Sequence, residues 1–284
     1  MGIFVSTDAF IDFSEQEFNV NEKYIYYTKE GYYLGGSADS KKVYIVTQRE
    51  YETAQQTGNW FLINKSENLL KEINMSIANS EFTNDAYILF KEISFTGNKQ
   101  TAIWMAHTVN NAVHSAHNRG KKTINQLLKT SYSSVKNKNE HLPLVNNPSL
   151  YVDIRYGLIN VLTNNPDPTG KAYFWDGLDL LTQKIALSHA KFKHYKSVTI
   201  KASYLIMAVE FWSIPENKRK VNPNAVINSA FETKGTKTFP EGIITYDDDF
   251  FVAKRYDTQD APNVHYHLIA TGFHSGTMFW TTKK

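Results

Sequence analysis

The chain of 284 residues contains no cysteine. Disulfide frameworks, thiolate zinc sites, iron–sulfur clusters and cysteine nucleophiles are excluded together. Charge of one sign is also scarce, with 31 Lys and Arg against 28 Asp and Glu and a formal net charge of +3. No basic cluster interleaved with aromatics occurs, so nothing points to a nucleic-acid partner, and Lys121-Lys122 and Lys218-Arg219-Lys220 read as solvated loop charges. The small positive excess still favours adsorption to an anionic polymer. No run of about 18 apolar residues is present, so no membrane span is expected. Met1-Gly2-Ile3-Phe4-Val5-Ser6 lacks the basic start and apolar stretch of a secretory signal, which predicts synthesis in the cytoplasm. What is present is the composition of a folded protein, 42% hydrophobic, 21% charged and 14% aromatic. The length suits one large domain or two small ones.

Aromatic and β-branched residues around turn signals, in Tyr24-Ile25-Tyr26-Tyr27, Tyr32-Tyr33-Leu34 and Val43-Tyr44-Ile45-Val46, predict a hairpin or meander near the start. Helical spacing follows over 66–78 and 83–94, with Thr83-Asn84-Asp85 as a helix start. The clearest helix runs from Lys99 to Ala116, where Ile103, Ala106, Val109, Asn110 and Val113 recur on one face. Two more are expected over Thr123–Lys129 and Ser149–Leu162. Two prolines make Asn164-Asn165-Pro166-Asp167-Pro168-Thr169-Gly170 a rigid loop. Strand signals return in Val198-Thr199-Ile200, Phe250-Phe251-Val252, Val264–Leu268 and Thr277–Trp280.

Chemistry is sought in the helical middle. Glu92, near a helix end, is flanked by Phe90, Ile93 and Phe95, and apolar surroundings raise a carboxyl pKa as a glycosidase acid requires. Ser131, Tyr132 and Ser133 suit sugar binding or a helix-ending turn. Tyr173, Phe174, Trp175 and Asp176 suit a groove wall or core packing, and Asp167 a turn or a catalytic partner. His107, His114 and His117 on one helix, and His265 and His267 with His274 or His189, offer a rival zinc site, although no His-Glu-x-x-His spacing occurs.

The order of Glu92, Val109-Asn110-Asn111 and Asp167-Pro168-Thr169-Gly170-Lys171-Ala172 followed by aromatics resembles the spore-cortex-lytic type of bacterial cell-wall hydrolase, within the lysozyme-like superfamily. The likeness covers about residues 85–180. It departs where Glu92-Ile93-Ser94-Phe95-Thr96 lacks the family's second acid, where Asn111 replaces an arginine and where Lys171 replaces a glycine. The resemblance implies a lysozyme-like, mainly helical catalytic core, placed over 66–195; the strand-like texture of the ends adds a β-rich segment over 1–65 and a β-containing extension over 196–284, giving an α+β fold of three segments or of one compact domain. The resemblance also implies cleavage of peptidoglycan glycan strands by Glu92 as single general acid/base, through a lytic transglycosylase or muramidase route, with Ser131, Tyr132, Ser133, Asp167, Thr169, Tyr173, Trp175 and Asp176 binding substrate. No metal or other cofactor is expected on this route. By analogy, action in the periplasm as an antibacterial type VI secretion effector is expected, with an immunity protein and a secretion-machine component as partners. A zinc-dependent peptidoglycan amidase, or a non-catalytic glycan-binding or secretion-docking module, is the alternative.

Overall fold

A computed structural model describes residues 24–93, 98–118, 120–131, 139–144, 149–176, 187, 190–212, 234–256 and 263–284. The first aromatic stretches form a three-stranded sheet of β1 (Tyr24–Tyr27), β2 (Tyr33–Gly36) and β3 (Lys42–Ile45), in the order β2-β1-β3. β1 and β2 are an antiparallel hairpin, but β3 crosses over and pairs parallel with β1, so the segment is not a meander. Gly31 in the β1–β2 turn has φ +91°, and a Cβ there would lie 2.5 Å from the Val152 carbonyl oxygen. Only glycine meets both conditions.

Helix α1 (Gln48–Thr57) is fixed at its start by a capping box, Thr47 with Glu50, and stopped by Gly58 at φ +73°. The helical spacing over 66–78 is overridden. Leu70 N–H bonds the Val43 carbonyl and Ile45 N–H the Asn68 carbonyl, which draws the segment along β3. Ile73 and Asn74 then turn at positive φ, between β4 (Lys71–Glu72) and β5 (Met75–Ser76).

Helices α2 (Asn79–Ile93), α3 (Lys99–Val113), α4 (Ile124–Ser131) and α5 (Ser149–Leu162) pack around Leu89, Ala106, Val109, Leu128, Ile154 and Leu158. α2 begins four residues before Thr83. Thr83, Asn84 and Asp85, which look like capping residues, are instead buried: Asn84 and Asp85 accept from Asn125 of α4, and the Thr83 hydroxyl bonds the Asn79 carbonyl within α2. α3 and α5 run side by side in the same direction, with the Lys99 ammonium 3.7 Å from the Tyr156 ring centroid and His107 bonded to Asn160.

The rest of the molecule corrects the expected architecture. β6 (Phe174–Asp176), α6 (Ala190–His194), β7 (Tyr195–Lys201), α7 (Ala202–Trp212), β8 (Gly235–Phe239), β9 (Gly242–Tyr246), β10 (Phe250–Arg255), β11 (Asn263–His274) and β12 (Thr277–Lys283) build one seven-stranded sheet, β6-β12-β11-β7-β10-β9-β8. All its pairings are antiparallel except β11 with β7. Among the described residues, with about 30% in strands and seven helices, the fold is mixed and is not a mainly helical lysozyme-like core with β additions. The strands are no appendage, because they carry a hydrophobic core of their own around Phe192, Val198, Ile200, Phe251, Leu268 and Trp280. Two features cross the expected edges of the 66–195 segment: β6 pairs with β12, and Phe279 is buried in the helical core.

Candidate functional site

A groove of about 620 Å³ opens where the β4–β5 hairpin faces the carboxyl-terminal ends of α3 and α5. Its walls include Glu67, Glu72, Asn110, His114 and Asn164. Four residues apart, Asn110 and His114 fall on one side of the last turn of α3. The ring Nδ1 of His114 lies 2.8 Å from the Asn110 carbonyl oxygen, so Nδ1–H donates there and Nε2 is left for a ligand.

Glu72 is half-buried at the end of β4, and its Oε1 accepts the Ile124 N–H at the start of α4 at 2.5 Å. Burial is the largest influence on this carboxyl and pushes it up. The Ile124 bond and His114 pull down, Glu81 pushes up, and the net position is above the usual carboxylate range. Behind it Asp85 is fully enclosed, and burial lifts its carboxyl well above the ordinary value although Asn125 donates to it at 2.6 Å. Asp85 has no route to a substrate, whereas Glu72 borders the groove. Glu67, exposed and 3.7 Å from the Lys65 ammonium, is a second carboxylate on the same wall. A half-buried carboxyl raised by burial and a solvated carboxylate along one groove are the kinds of group that glycoside cleavage uses.

The residues singled out in the sequence do not form one constellation. Glu92 is half-buried on the last turn of α2, and the neighbouring Phe90 ring sits 5.2 Å from that of Tyr151, at the start of α5. Asp167 follows the end of α5 and bonds Asn111, near the end of α3. Glu92 and Asp167 thus lie at opposite ends of the α3–α5 pair. Twelve residues of α3, about 18 Å at 1.5 Å per residue, separate the levels of Lys99 and Asn111.

Asp167 forms a clasp. Its Oδ1 accepts from the Thr169 N–H at 2.8 Å and hydroxyl at 2.6 Å, and its Oδ2 from the Lys171 N–H at 3.1 Å and Asn111 Nδ2 at 2.9 Å. Asn111 also reaches the Thr169 hydroxyl and the Ala172 carbonyl, and the His107 ring stands 3.9 Å from Asp167. Burial raises the Asp167 carboxyl, but these donors together outweigh it and hold it below its ordinary value.

Tyr173 and Trp175 pack partly buried on the helical core, and Asp176 pairs with Lys191 at 3.0 Å. Burial lowers the Lys191 ammonium to about 8. Ser131 is half-buried at the end of α4, while Tyr132, Ser133 and His189 lie outside the described residues. Of the other candidate histidines, His107 bonds Asn160, His117 bonds Thr282, His267 bonds Ser197, His274 stacks on Trp104 and His265 is exposed. Among the described residues no group of three or more His, Asp or Glu could hold a metal ion. Nor, among them, is any helix long and apolar enough to cross a membrane.

No family model, curated protein or solved structure matches the chain. Sequence reasoning passed over Glu72, and only its place beside His114 and the start of α4 distinguishes it. The one signal nearby was Asn110, a member of the Val109-Asn110-Asn111 stretch, which does line the groove.

Proposed function

We propose that this chain cleaves the glycan strands of peptidoglycan, with Glu72 as the general acid. The observation that carries the reading is a half-buried carboxyl that borders a groove and is pushed by burial above the usual carboxylate range, the direction a general acid requires. The substrate class is supported by the resemblance of Val109-Asn110-Asn111 and Asp167–Ala172 to cell-wall hydrolases, and Asn110 brings part of that stretch to the groove. In the reaction Glu72 gives its proton to the glycosidic oxygen as the bond to the anomeric carbon breaks. Two routes complete it. Glu67 can take the place of nucleophile or activate a water, leaving a reducing end. Alternatively the ionised Glu72 takes the proton of the sugar's own 6-hydroxyl, which closes a 1,6-anhydro ring. His114 Nε2 and the Asn110 amide are placed to bond sugar hydroxyls. Action on the wall from outside the membrane, delivery by a contact-dependent secretion machine and restraint by an immunity protein belong to the same proposal.

Digestion of purified sacculi by the wild type, Glu72→Gln and Glu92→Gln tests the reading. Gln at position 72 keeps an oxygen for the Ile124 N–H, so the expected result is a folded protein with muropeptide release reduced at least about 100-fold. Glu92→Gln is expected to release muropeptides at the wild-type rate. Loss of release in Glu92→Gln alone moves the acid to the other end of the helix pair, and release unaffected by either substitution ends the glycosidase reading. Mass spectrometry of the products separates anhydro from reducing ends.

A further inference from the structure

The face of the seven-stranded sheet turned away from α6 and α7 carries a feature that the groove does not use. Directly paired residues on adjacent strands share a face, and one such row reads Lys254, Ser197, His267, Lys283 across β10, β7, β11 and β12. Strands stand about 4.8 Å apart, so the row spans roughly 14 Å and both lysine side chains can lean over the histidine. Lys254 and Lys283 are exposed, His267 is half-buried and Ser197 is buried beneath them. Ser197 Oγ lies 2.6 Å from His267 Nδ1. The hydroxyl engages Nδ1, which leaves Nε2 as the ring nitrogen available to a ligand beside the two lysines. Two residues along each strand, Val252, Thr199, Ile269 and Thr281 continue the same face, followed on β7 by Lys201. On β9 and β8 it goes on as Ile243, Thr245, Thr236 and Thr238. Among the described strand residues on this face there is no Asp or Glu; the acids nearby, Glu241 and Asp247 to Asp249, sit in the turns at the strand ends.

The charges that act on His267 are all positive, from Lys196, Lys254 and Lys283, and with burial, the larger effect, they depress its basicity. Like charges gathered without a counter-charge repel, and a ligand that supplies negative groups removes the repulsion. The hydroxyls of Thr199, Thr245, Thr236, Thr238 and Thr281 around the row are the donors and acceptors that sugars use, while among its described residues the face has one exposed aromatic side chain, Phe250 beside Lys201, and no series of rings on which successive nucleobases could stack. We infer that this face binds an anionic polysaccharide, whose acidic groups sit along the Lys254–His267–Lys283 row and whose sugar rings lie over the threonine-lined strands. The surface is separate from the groove at Glu72 and does not depend on what that groove does.

The test measures binding of the full chain to a polyuronate, to neutral dextran and to duplex DNA over a range of salt. The expected result is polyuronate binding that weakens steeply with salt, no binding to dextran, and DNA binding weaker than polyuronate binding. Lys254→Gln/Lys283→Gln is expected to lose roughly tenfold in polyuronate affinity and to flatten the salt dependence. Lys41→Gln, in the bend that leads into β3 of the three-stranded sheet, should bind as the wild type does. Matching thermal melts of all variants establish that the loss is not unfolding, and if the double variant melts early, Lys283→Gln alone carries the comparison with an expected loss of about threefold. Unchanged affinity in the folded lysine variants overturns the inference, and so does DNA binding as tight as polyuronate binding.

Discussion

Asp85 and Asp167 are displaced in opposite directions, and the difference lies in who donates to them. Asp85 is enclosed among helices with a single Asn125 donor, so burial prevails and the carboxyl is raised. Asp167 is also partly buried, yet two backbone N–H groups, a hydroxyl and an amide converge on it, and the ionised form prevails. The stability consequences have opposite signs. A carboxyl raised on folding contributes stability that is fully present below its unfolded pKa, about 3.9, and is lost as pH rises through the folded value. A carboxyl lowered on folding contributes stability above its unfolded pKa and loses it as pH falls through the folded value. Urea unfolding from pH 3 to pH 8 separates the two. Asp85→Asn should gain on the wild type as pH rises from about 4, because it removes the need to keep a proton in place. Asp167→Asn should lose most at neutral pH and approach the wild type in acid. Parallel curves for the wild type and Asp85→Asn would show that Asp85 stays ionised in the fold.

Between α3 and α5 the contact is set by a residue that is missing a side chain. A Cβ on Gly157 would stand 2.6 Å from the carbonyl carbon and oxygen of Ala102, both backbone atoms that cannot rotate aside. Gly157→Ala raises intrinsic helix propensity by up to about 1 kcal/mol, but it must push two helices apart, and overpacking costs about 1–3 kcal/mol even where side chains can yield. The expected outcome is a net loss and a melting temperature lower by several degrees, checked by calorimetry. A rise in melting temperature would mean that the helices separate freely. These two helices were legible in the sequence because their apolar residues recur at three and four along one continuous stretch. The β-strands over 24–27 and 277–280 were legible for a similar reason, as dense runs of aromatic and β-branched residues. β8 and β9 were not, since Thr236, Thr238 and Thr245 face outward and leave only a weak alternation. The β4–β5 hairpin was hidden by a tertiary pairing with β3 that overrides local spacing. At the candidate site the turn at Asp167 was legible from two prolines and an Asp within a few residues. Glu72 was not, because the partner that gives it meaning, Ile124, is 52 residues away.

The two large cores meet along β12 and its neighbours β6 and β11. On β12, Phe279 is buried in the helical core and Trp280, its neighbour, in the sheet core, since successive side chains of a strand leave by opposite faces. Next to Phe279, Gly272 on β11 lies so close to Trp104 of α3 that a Cβ would approach its ring to 2.6 Å, and Trp175 on β6 pairs with Phe279 from the other side. Neither body can therefore be withdrawn without exposing large aromatic side chains of the other. Residues 66–195 taken alone would lose Phe279 and the β12 partner of β6, along with Ile25, Tyr27 and Val43 from the first sheet. Burying a large apolar side chain contributes about 1.5–3 kcal/mol, so four such losses, about 6–12 kcal/mol, are as large as the whole stability of a typical domain. The expected outcome is that the 66–195 fragment shows helical far-ultraviolet circular dichroism without a near-ultraviolet signal. The full chain, by contrast, unfolds in urea in one transition, seen alike by tryptophan fluorescence and by circular dichroism. A fragment with a sharp melt and native near-ultraviolet bands would show that the helices form an independent unit, and that the strand carrying Phe279 and Trp280 docks on it without holding it together.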